Sequence, residues 1–443
     1  MIGILCCAAA FLLAILAGRR GLTAGISAVL AVGYFHGIVR ANFPDPASHF
    51  IFDAAVLGLY ITQLFRKQEA GDRLRMRSIQ IWTAVLIAWP VVLVFIPIQD
   101  LLVQLVGLRG SIFLLPFLLL GARLTAQQIN RLAMTLAVLN LLAFAVAGAE
   151  YVAGVERFFP KNANTEIIYR SADVGAEANQ YRIPGPFSGS HVYAGTMVMS
   201  LPFLLAAWAA VGTSRGRRTL LLCAMLAATV GVFAAATRVH TAILGIVLLS
   251  VLFSGTIAAS ARALLMVVIG ALSVIVFSQE RLQRFTKLTD TSAVSERVTG
   301  SVSASFWDLL LEYPLGNGLG GGGTSMPYFL QNRLRNQIVI ENEYARILLE
   351  QTSVGLCLWV TFIGWFVCRR FSAARSGWGI GEHTAWLAVV LYFVTALIGI
   401  GLLTAIPQSA LLFLCVGWVA AKRPAARQSP AKIPSYAAAH ASA

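Results

Sequence analysis

An all-α, polytopic helical membrane bundle is the fold class this sequence predicts, and three observations predict it. Hydrophobic residues make up 58% of the 443-residue chain and charged residues only 12%, about half the roughly 25% of an ordinary soluble domain. That leaves too little polar surface to cover a water-soluble particle of this size. Apolar runs close to the roughly 20 residues a helix needs to cross a bilayer recur along the chain. The segments between them alternate between rich and poor in Arg and Lys, as loops on the two sides of a membrane do. These observations exclude a soluble enzyme, a disordered regulator and a fibrous protein. The net charge of +15 therefore reads largely as topology signal, and no nucleic-acid partner is expected.

In chain order the candidate spans are 2–18, 22–40, 50–65, 78–98, 103–122, 132–152, 190–212, 219–237, 240–258, 262–278, 345–368, 384–404 and 406–421. They number twelve or thirteen, depending on whether the short turn near 405 marks a re-entrant hairpin. Arg19 and Arg20 follow the first run instead of preceding it, the reverse of a cleaved signal peptide, so this span is expected to be kept. The organisation is N-terminal membrane helices over 1–152, an external loop at 153–189 and central helices over 190–278. A long external loop with a Gly-rich segment follows at 279–344, then C-terminal helices over 345–421 and a disordered cytoplasmic tail, rich in Ala, Ser and Pro, over 422–443. Orientation follows from the short loops. Arg19, Arg20, Arg73, Arg75, Arg77, Arg123, Arg131, Arg215, Arg217, Arg218, Arg369 and Arg370 fall on one side, which is then cytoplasmic. The six cysteines all lie in or beside apolar runs and form no C-x-x-C pair, so they read as packing residues, and no metal site is expected.

This topology leaves basic residues that it does not call for. The external loops carry Arg157, Lys161, Arg170 and Arg182, then Arg281, Arg284, Lys287, Arg297, Arg333 and Arg335. Arg238 sits in Ala-Thr-Arg-Val-His, between two spans with almost no loop. Lipid headgroups, or pairing with loop carboxylates such as Glu156, account for part of this set. The alternative is an anionic substrate held at the outer face, because the guanidinium fork matches phosphate and stays charged. His240, two residues beyond Arg238, reads first as a hydrogen-bonded edge residue. Tyr181-Arg182-Ile-Pro-Gly-Pro-Phe-Ser-Gly-Ser-His191 predicts a rigid turn that holds Arg182 at the bilayer edge.

The long loop has more grammar. Apolar residues at Phe306, Leu309, Leu310 and Tyr313, stopped by Pro314, predict a short amphipathic helix on the membrane surface. Gly316, Gly318 and Gly321 formally match G-x-G-x-x-G. With no βαβ unit around it the match carries no dinucleotide site, and what remains is a backbone able to approach a ligand closely. Ile340-Glu341-Asn342-Glu343-Tyr344-Ala345-Arg346, with Glu350 beyond it, puts two carboxylates at the outer end of a membrane helix. They serve either as dipole caps with an Arg346–Glu350 pair or as a general base.

Five elements together resemble the O-antigen ligase and Wzy-type polymerase superfamily over roughly residues 180–370. They are the Gly-Pro-Phe-Ser-Gly-Ser-His turn at 185–191, the Thr237-Arg238 turn, Arg297 followed by Trp307, the Tyr-Pro-Leu-Gly-Asn-Gly run at 313–318, and Glu341 to Glu350 leading to Gly355. Members of that family are bacterial membrane glycosyltransferases that use undecaprenyl-pyrophosphate-linked glycans at the outer face of the inner membrane, in O-antigen, capsule or exopolysaccharide assembly. The resemblance implies a metal-independent, cofactor-free transfer to a glycan or lipid acceptor, among membrane lipids and other polysaccharide-assembly proteins. It assigns pyrophosphate binding to Arg238 and Arg297, with Arg182 as a further cation. Glu341, or less directly Glu343, takes the place of the family's histidine as the base. That is a departure, since loop 279–344 has no histidine, and it favours a polymerase or a variant ligase. The rival class is a polysaccharide or lipid transporter, which the lack of an internal repeat does not support.

Overall fold

The computed structural model describes residues 1–64, 70–170, 181–210, 214–253, 308–323, 326–336, 338, 340, 342–373, 378–399 and 401–421. Among them the chain is helical, with no strand. The helices are α1 (Ile2–Arg20), α2 (Leu22–Asn42), α3 (Ile51–Leu64), α4 (Ala70–Leu93), α5 (Leu101–Ile112), α6 (Phe117–Arg123) and α7 (Ala126–Ala153). Then come α8 (Glu166–Arg170), α9 (Ser190–Ala209), α10 (Arg215–Ala234), α11 (Arg238–Phe253), α12 (Glu343–Ala373), α13 (Ile380–Thr395) and α14 (Gln408–Ala420). Among the described residues nine segments are long and apolar enough to cross a membrane, and α11, α13 and α14 are shorter apolar helices. Every expected span has its helix except 262–278, which lies outside the described residues. The protein is an all-α, multi-pass membrane bundle.

Several helix starts are written in the sequence. Asp45, ahead of Pro46, accepts a hydrogen bond from Ala47 N at 3.0 Å and opens a 3-10 turn, Pro46–Phe50, that leads into α3. Asp100 accepts from Leu102 N at 3.0 Å to start α5. Thr125 and Gln128 form a reciprocal capping box at the start of α7. Each satisfies N–H groups that a helix N-terminus otherwise leaves without partners.

The apolar pattern decides which helices are central. Every residue of α14 is buried, as are most of α9, which is what a helix hydrophobic all round requires. On α1, by contrast, Ile4, Leu5, Leu12 and Leu16 are exposed, as on a lipid-facing surface. Lipid offers no hydrophobic drive for helices to associate, so close approach and interhelical hydrogen bonds hold the bundle. Tyr34 of α2 donates to Asn140 of α7 at 2.8 Å, and Asn140 Nδ2 donates to Ser200 of α9 at 2.8 Å. Where α6 crosses α14 the contact is backbone to backbone: a Cβ on Gly417 would fall 2.0 Å from Leu118 O, and one on Gly121 2.2 Å from Leu414 O.

The antiparallel course gives the bundle two ends. Gly3 lies beside Asp45, Ala47 and Ser48, and Gly18 beside Thr62, so residues 42–50 and 18–22 mark opposite ends. The described parts of loops 154–189 and 308–342 lie at the first, here called the loop end. Residues 308–312 are helical, within the stretch where a surface helix is expected. Leu309 and Tyr313 pack on Ile340, Ala345 and Leu349 while Leu311 is exposed.

The crossing of α6 and α14 yields a first prediction. Gly417→Leu will lower the thermal midpoint of the detergent-solubilised protein by at least the equivalent of about 1–3 kcal/mol that overpacking costs, because a backbone carbonyl cannot move aside as a side chain can. Gly148→Leu, where a Cβ meets nothing within 4 Å, will leave the midpoint unchanged.

Candidate functional site

At the loop end the first two turns of α12 carry a buried triad of charges. Arg346 donates through Nη1 to Glu350 Oε2 at 2.9 Å and through Nη2 to Glu343 Oε1. All three side chains are 1% exposed or less, so none of these charges reaches solvent. The second oxygen of Glu343 accepts from Gly401 N at 2.8 Å, fixing the loop between α13 and α14. Gly322 lies against the other side, where a Cβ would come 2.8 Å from Glu350 Oε1 and 2.9 Å from the stem of Arg346. The triad thus holds two loops at once.

The glycine run is seated more tightly than a free, ligand-approaching backbone. Gly316, Gly318, Gly320 and Gly323 have φ between 70° and 78°, the left-handed region that favours glycine. Gly320 meets Gly107 of α5 so closely that a Cβ on Gly107 would fall 2.1 Å from Gly320 N. Asn317, 2% exposed, holds the run: Nδ2 donates to Gly321 O at 2.9 Å and to Asn336 O at 3.0 Å, while Gln99 Nε2 donates to its backbone carbonyl at 2.8 Å. Its N–H donates to Leu349 O at 2.7 Å. Just beyond, α12 breaks at Thr352 (φ 64°, ψ 179°), and the carbonyl of Gln351 accepts from Trp89 Nε1 at 2.7 Å. Those two donors satisfy carbonyls next to the break.

The loops fixed this way wall a cleft of about 460 Å³, within the roughly 300–1,000 Å³ of small-molecule sites. α2 supplies His36 and Arg40, the Pro46–Phe50 turn His49, α3 Asp53, α5 Arg109, the loop before α8 Asn164 and the first turn of α8 Glu166. Further lining comes from Phe52, from Phe113 and Leu114 after α5, from Gly323, Met326, Tyr328 and Gln331, and from Leu403, Thr404 and Ile406. Arg109 Nε donates to Asp53 Oδ2 at 2.9 Å, and a second nitrogen donates to the same oxygen. His49 Nε2 and Asn164 Oδ1 are 2.8 Å apart, and Asn164 Nδ2 donates to Arg40 O at 3.1 Å. Among the described residues no carboxylate pairs with Arg40, whose one contact is a long 3.5 Å donation to Asn164 O. His36 is 4% exposed, and its Nε2 has no hydrogen-bond partner.

Of the residues named from the sequence, Arg182, Arg238 and Glu343 lie among the described residues, whereas Glu341 and Arg297 lie outside them. Gly185, φ 55°, makes the turn after Arg182, and its N–H donates to the buried Glu150 carboxylate at 2.9 Å. Arg182 is close enough to His191, and His191 to His240, for each charge to act on the next. His240 faces Tyr392 at 5.7 Å between ring centroids. Arg238 opens the same helix as His240, after a turn in which Ala236 has φ 49°. The structure therefore gathers Arg182 and the first turn of α11 into one patch. Glu343 stands apart, with both oxygens engaged within the protein. Among the loop-end cations, Lys161 pairs with Glu156 at 2.8 Å and holds that carboxyl below its usual range. Arg335 donates to Ile98 O at 3.1 Å.

Sequence reasoning passed over Arg40, Arg109, His36, His49 and Asn164. The signal for the two arginines was present: each lies in an apolar span near the end where topology asks for no cation. His36, His49 and Asn164 converge from separate segments and gave no such signal. Among the described residues no group of three or more His, Cys, Asp or Glu is placed to hold a metal ion. No model of a known protein family matches the chain, and no curated protein matches it.

The triad yields a second prediction. Arg346→Met leaves two carboxylates buried without their cation and will destabilise the protein by about 3–5 kcal/mol. Combining it with Glu343→Gln and Glu350→Gln removes the uncompensated charge and will recover much of the loss. Thermal unfolding of both variants in detergent makes the comparison.

Proposed function

We propose that this chain is a bacterial inner-membrane glycosyltransferase that polymerises or ligates glycans carried on undecaprenyl pyrophosphate, at the outer face of the membrane. One observation carries the reading. Arg182 comes together with His191 and with His240 in the first turn of α11, the helix that Arg238 opens, at the end of the bundle where the positive-inside pattern asks for no arginine. A cationic patch at a membrane surface suits a lipid-linked diphosphate, whose headgroup lies at that depth. The adjoining cleft offers room for the sugars that the diphosphate carries.

In the proposed reaction the acceptor hydroxyl oxygen attacks the anomeric carbon of the donor glycan. The bond from that carbon to the diphosphate oxygen breaks, and undecaprenyl diphosphate leaves with the electron pair. Arg182 and Arg238, with Arg297, stabilise the charge that develops on the leaving group. Glu341 receives the hydroxyl proton. Glu343 is not suited to that task while both its oxygens are engaged, and its work is to hold Arg346 and Gly401. The break in α12 is the feature a transporter reading would draw on, since transporters expose unwound backbone to their cargo. Here Asn317 N–H and Trp89 Nε1–H occupy carbonyls at that break, which favours the transferase.

A strain lacking the protein will accumulate lipid-linked glycan: single repeat units for a polymerase, long chains for a ligase. Absence of any accumulation would sink the proposal. In a transfer assay with membrane levels matched, Arg238→Ala and Arg297→Ala will each abolish product. Lysine at either position will restore it only in part, since an ammonium lacks the bidentate fork.

Glu341→Gln will lower turnover by about 10²-fold or more. Glu343→Gln will instead lower the amount of folded protein and spare the turnover of what remains. Normal turnover for Glu341→Gln would remove the base assignment and leave the transfer reaction standing.

A further inference from the structure

We propose that the cleft between α2, α3, α5 and the two outer loops is a subsite for an acidic sugar residue, with Arg40 holding the sugar's carboxylate. The choice of a sugar rests on the glycan-transfer reading. The choice of an anion rests on the cleft itself.

Arg40 is the first reason. Its guanidinium has five N–H donors and, among the described residues, makes one long contact, to a backbone carbonyl. A cation in the wall of an apolar bundle without a carboxylate partner is set to receive an anion. The neighbouring guanidinium is not available in the same way, because Arg109 places two donors on Asp53 and lies 5.5 Å from the Phe50 ring.

His36 is the second, independent reason. Its ring lines the cleft and is more than nine-tenths buried, yet Nε2 has no partner. A buried nitrogen of this kind is expected to be matched, and a ligand hydroxyl or carboxylate oxygen would match it. His49 and Asn164 are already oriented toward each other at 2.8 Å, so their place on the wall is fixed before a ligand arrives. Tyr328 brings an aromatic ring to the same wall, 5.7 Å from His49. Aromatic faces interleaved with a few polar groups are the usual lining of a site for small organic ligands.

Charge balance selects a carboxylate over a diphosphate. With Arg109 neutralised by Asp53, Arg40 is the cation left on the cleft wall among the described residues. One negative charge is compatible with that, whereas a diphosphate would bring several toward a single guanidinium and the Asp53 carboxylate. Position agrees with this division. Ile38 N donates to Pro186 O at 3.0 Å, so the last turns of α2 contact the loop that follows Arg182 while carrying His36 and Arg40 to the cleft.

The test is a binding measurement without turnover, on the full chain in detergent. The probes are trisaccharides bearing glucuronate, galacturonate or mannuronate, the same three with the carboxyl reduced to an alcohol, and inorganic pyrophosphate. At least one uronate will bind the wild type, its reduced form will bind at least about 10-fold more weakly, and Arg40→Gln will weaken uronate binding by a similar factor. Arg40→Lys, which keeps the charge and loses the fork, will fall between and stands in if the glutamine variant fails to fold. Arg131→Gln, at the opposite end of the bundle, will bind uronate as the wild type does.

Three results would each overturn the proposal: equal binding of the acidic and reduced sugars, uronate binding indifferent to both Arg40 variants, or no uronate binding at all. Arg40-dependent binding of pyrophosphate in place of uronate would overturn the carboxylate assignment and make the cleft a diphosphate site. Because no transfer is read, failure here is separate from failure of the transferase reading, which the accumulated lipid-linked glycan decides.

Discussion

The buried pairing of Arg346 with Glu343 and Glu350 is the constraint on which the loop end depends. Taking three charges out of water costs several kcal/mol per ion unless their geometry offsets it. Here the offset comes from spacing: residues three and four apart on one helix stand on the same face, and Gly401 N–H takes the remaining oxygen of Glu343. The charges therefore do more than neutralise one another. They bind the segment through Gly322 on one side and the segment through Gly401 on the other, and the neighbouring residues Gly323 and Met326, and Leu403 and Thr404, stand in the walls of the cleft.

The glycine run completes the same fastening from α5 and α12. Its positive φ angles place Asn317 inward, where one side chain and its backbone meet partners from Gln99, Gly321, Asn336 and Leu349. A membrane helix can break only where its freed carbonyls find donors, and the Asn317 N–H and Trp89 are those donors. The loop needs the break at Thr352 for its acceptor, and the broken helix needs the loop and α4 for its donors. Each feature therefore makes the other tolerable.

Much of the fold was legible in the sequence because a bilayer asks so little of a span: length and apolarity suffice, and twelve of the expected runs meet helices. Caps were legible in principle for the same local reason, as at Asp45-Pro46, Asp100 and Thr125 with Gln128. The pairing of Arg346 with Glu350 was also readable, from a spacing of four. The site was legible only in part. Arg238 stands out because no loop surrounds it, but Arg40 and Arg109 carry the same anomaly inside the limits of a span and pass as span ends. His36, His49 and Asn164 become one wall only when α2, the turn before α3 and the loop before α8 meet, and no spacing along the chain encodes that meeting. The glycines misdirect in a different way: the pattern suggests freedom near a ligand, whereas Gly107 and Gly320 are small because two backbones touch.

Cations at the loop end thus divide into two kinds by what surrounds them. Arg346 and Arg109 are matched to carboxylates inside the protein, and Lys161 to one on its surface; these serve the fold and leave no charge for a ligand. Among the described residues Arg40 has no such partner, and Arg238 opens the helix whose first turn carries His240, next to the place where Arg182 and His191 come together. α2 is the element common to both places, since its last turns touch the loop after Arg182 at Ile38 and reach the cleft at His36 and Arg40. Gly37 makes that contact possible, because a Cβ there would fall 2.0 Å from the carbonyl carbon of Phe187. The absence of one side chain on α2 therefore sets the spacing between the patch and the cleft, and that spacing limits which two groups a single glycan can present to both.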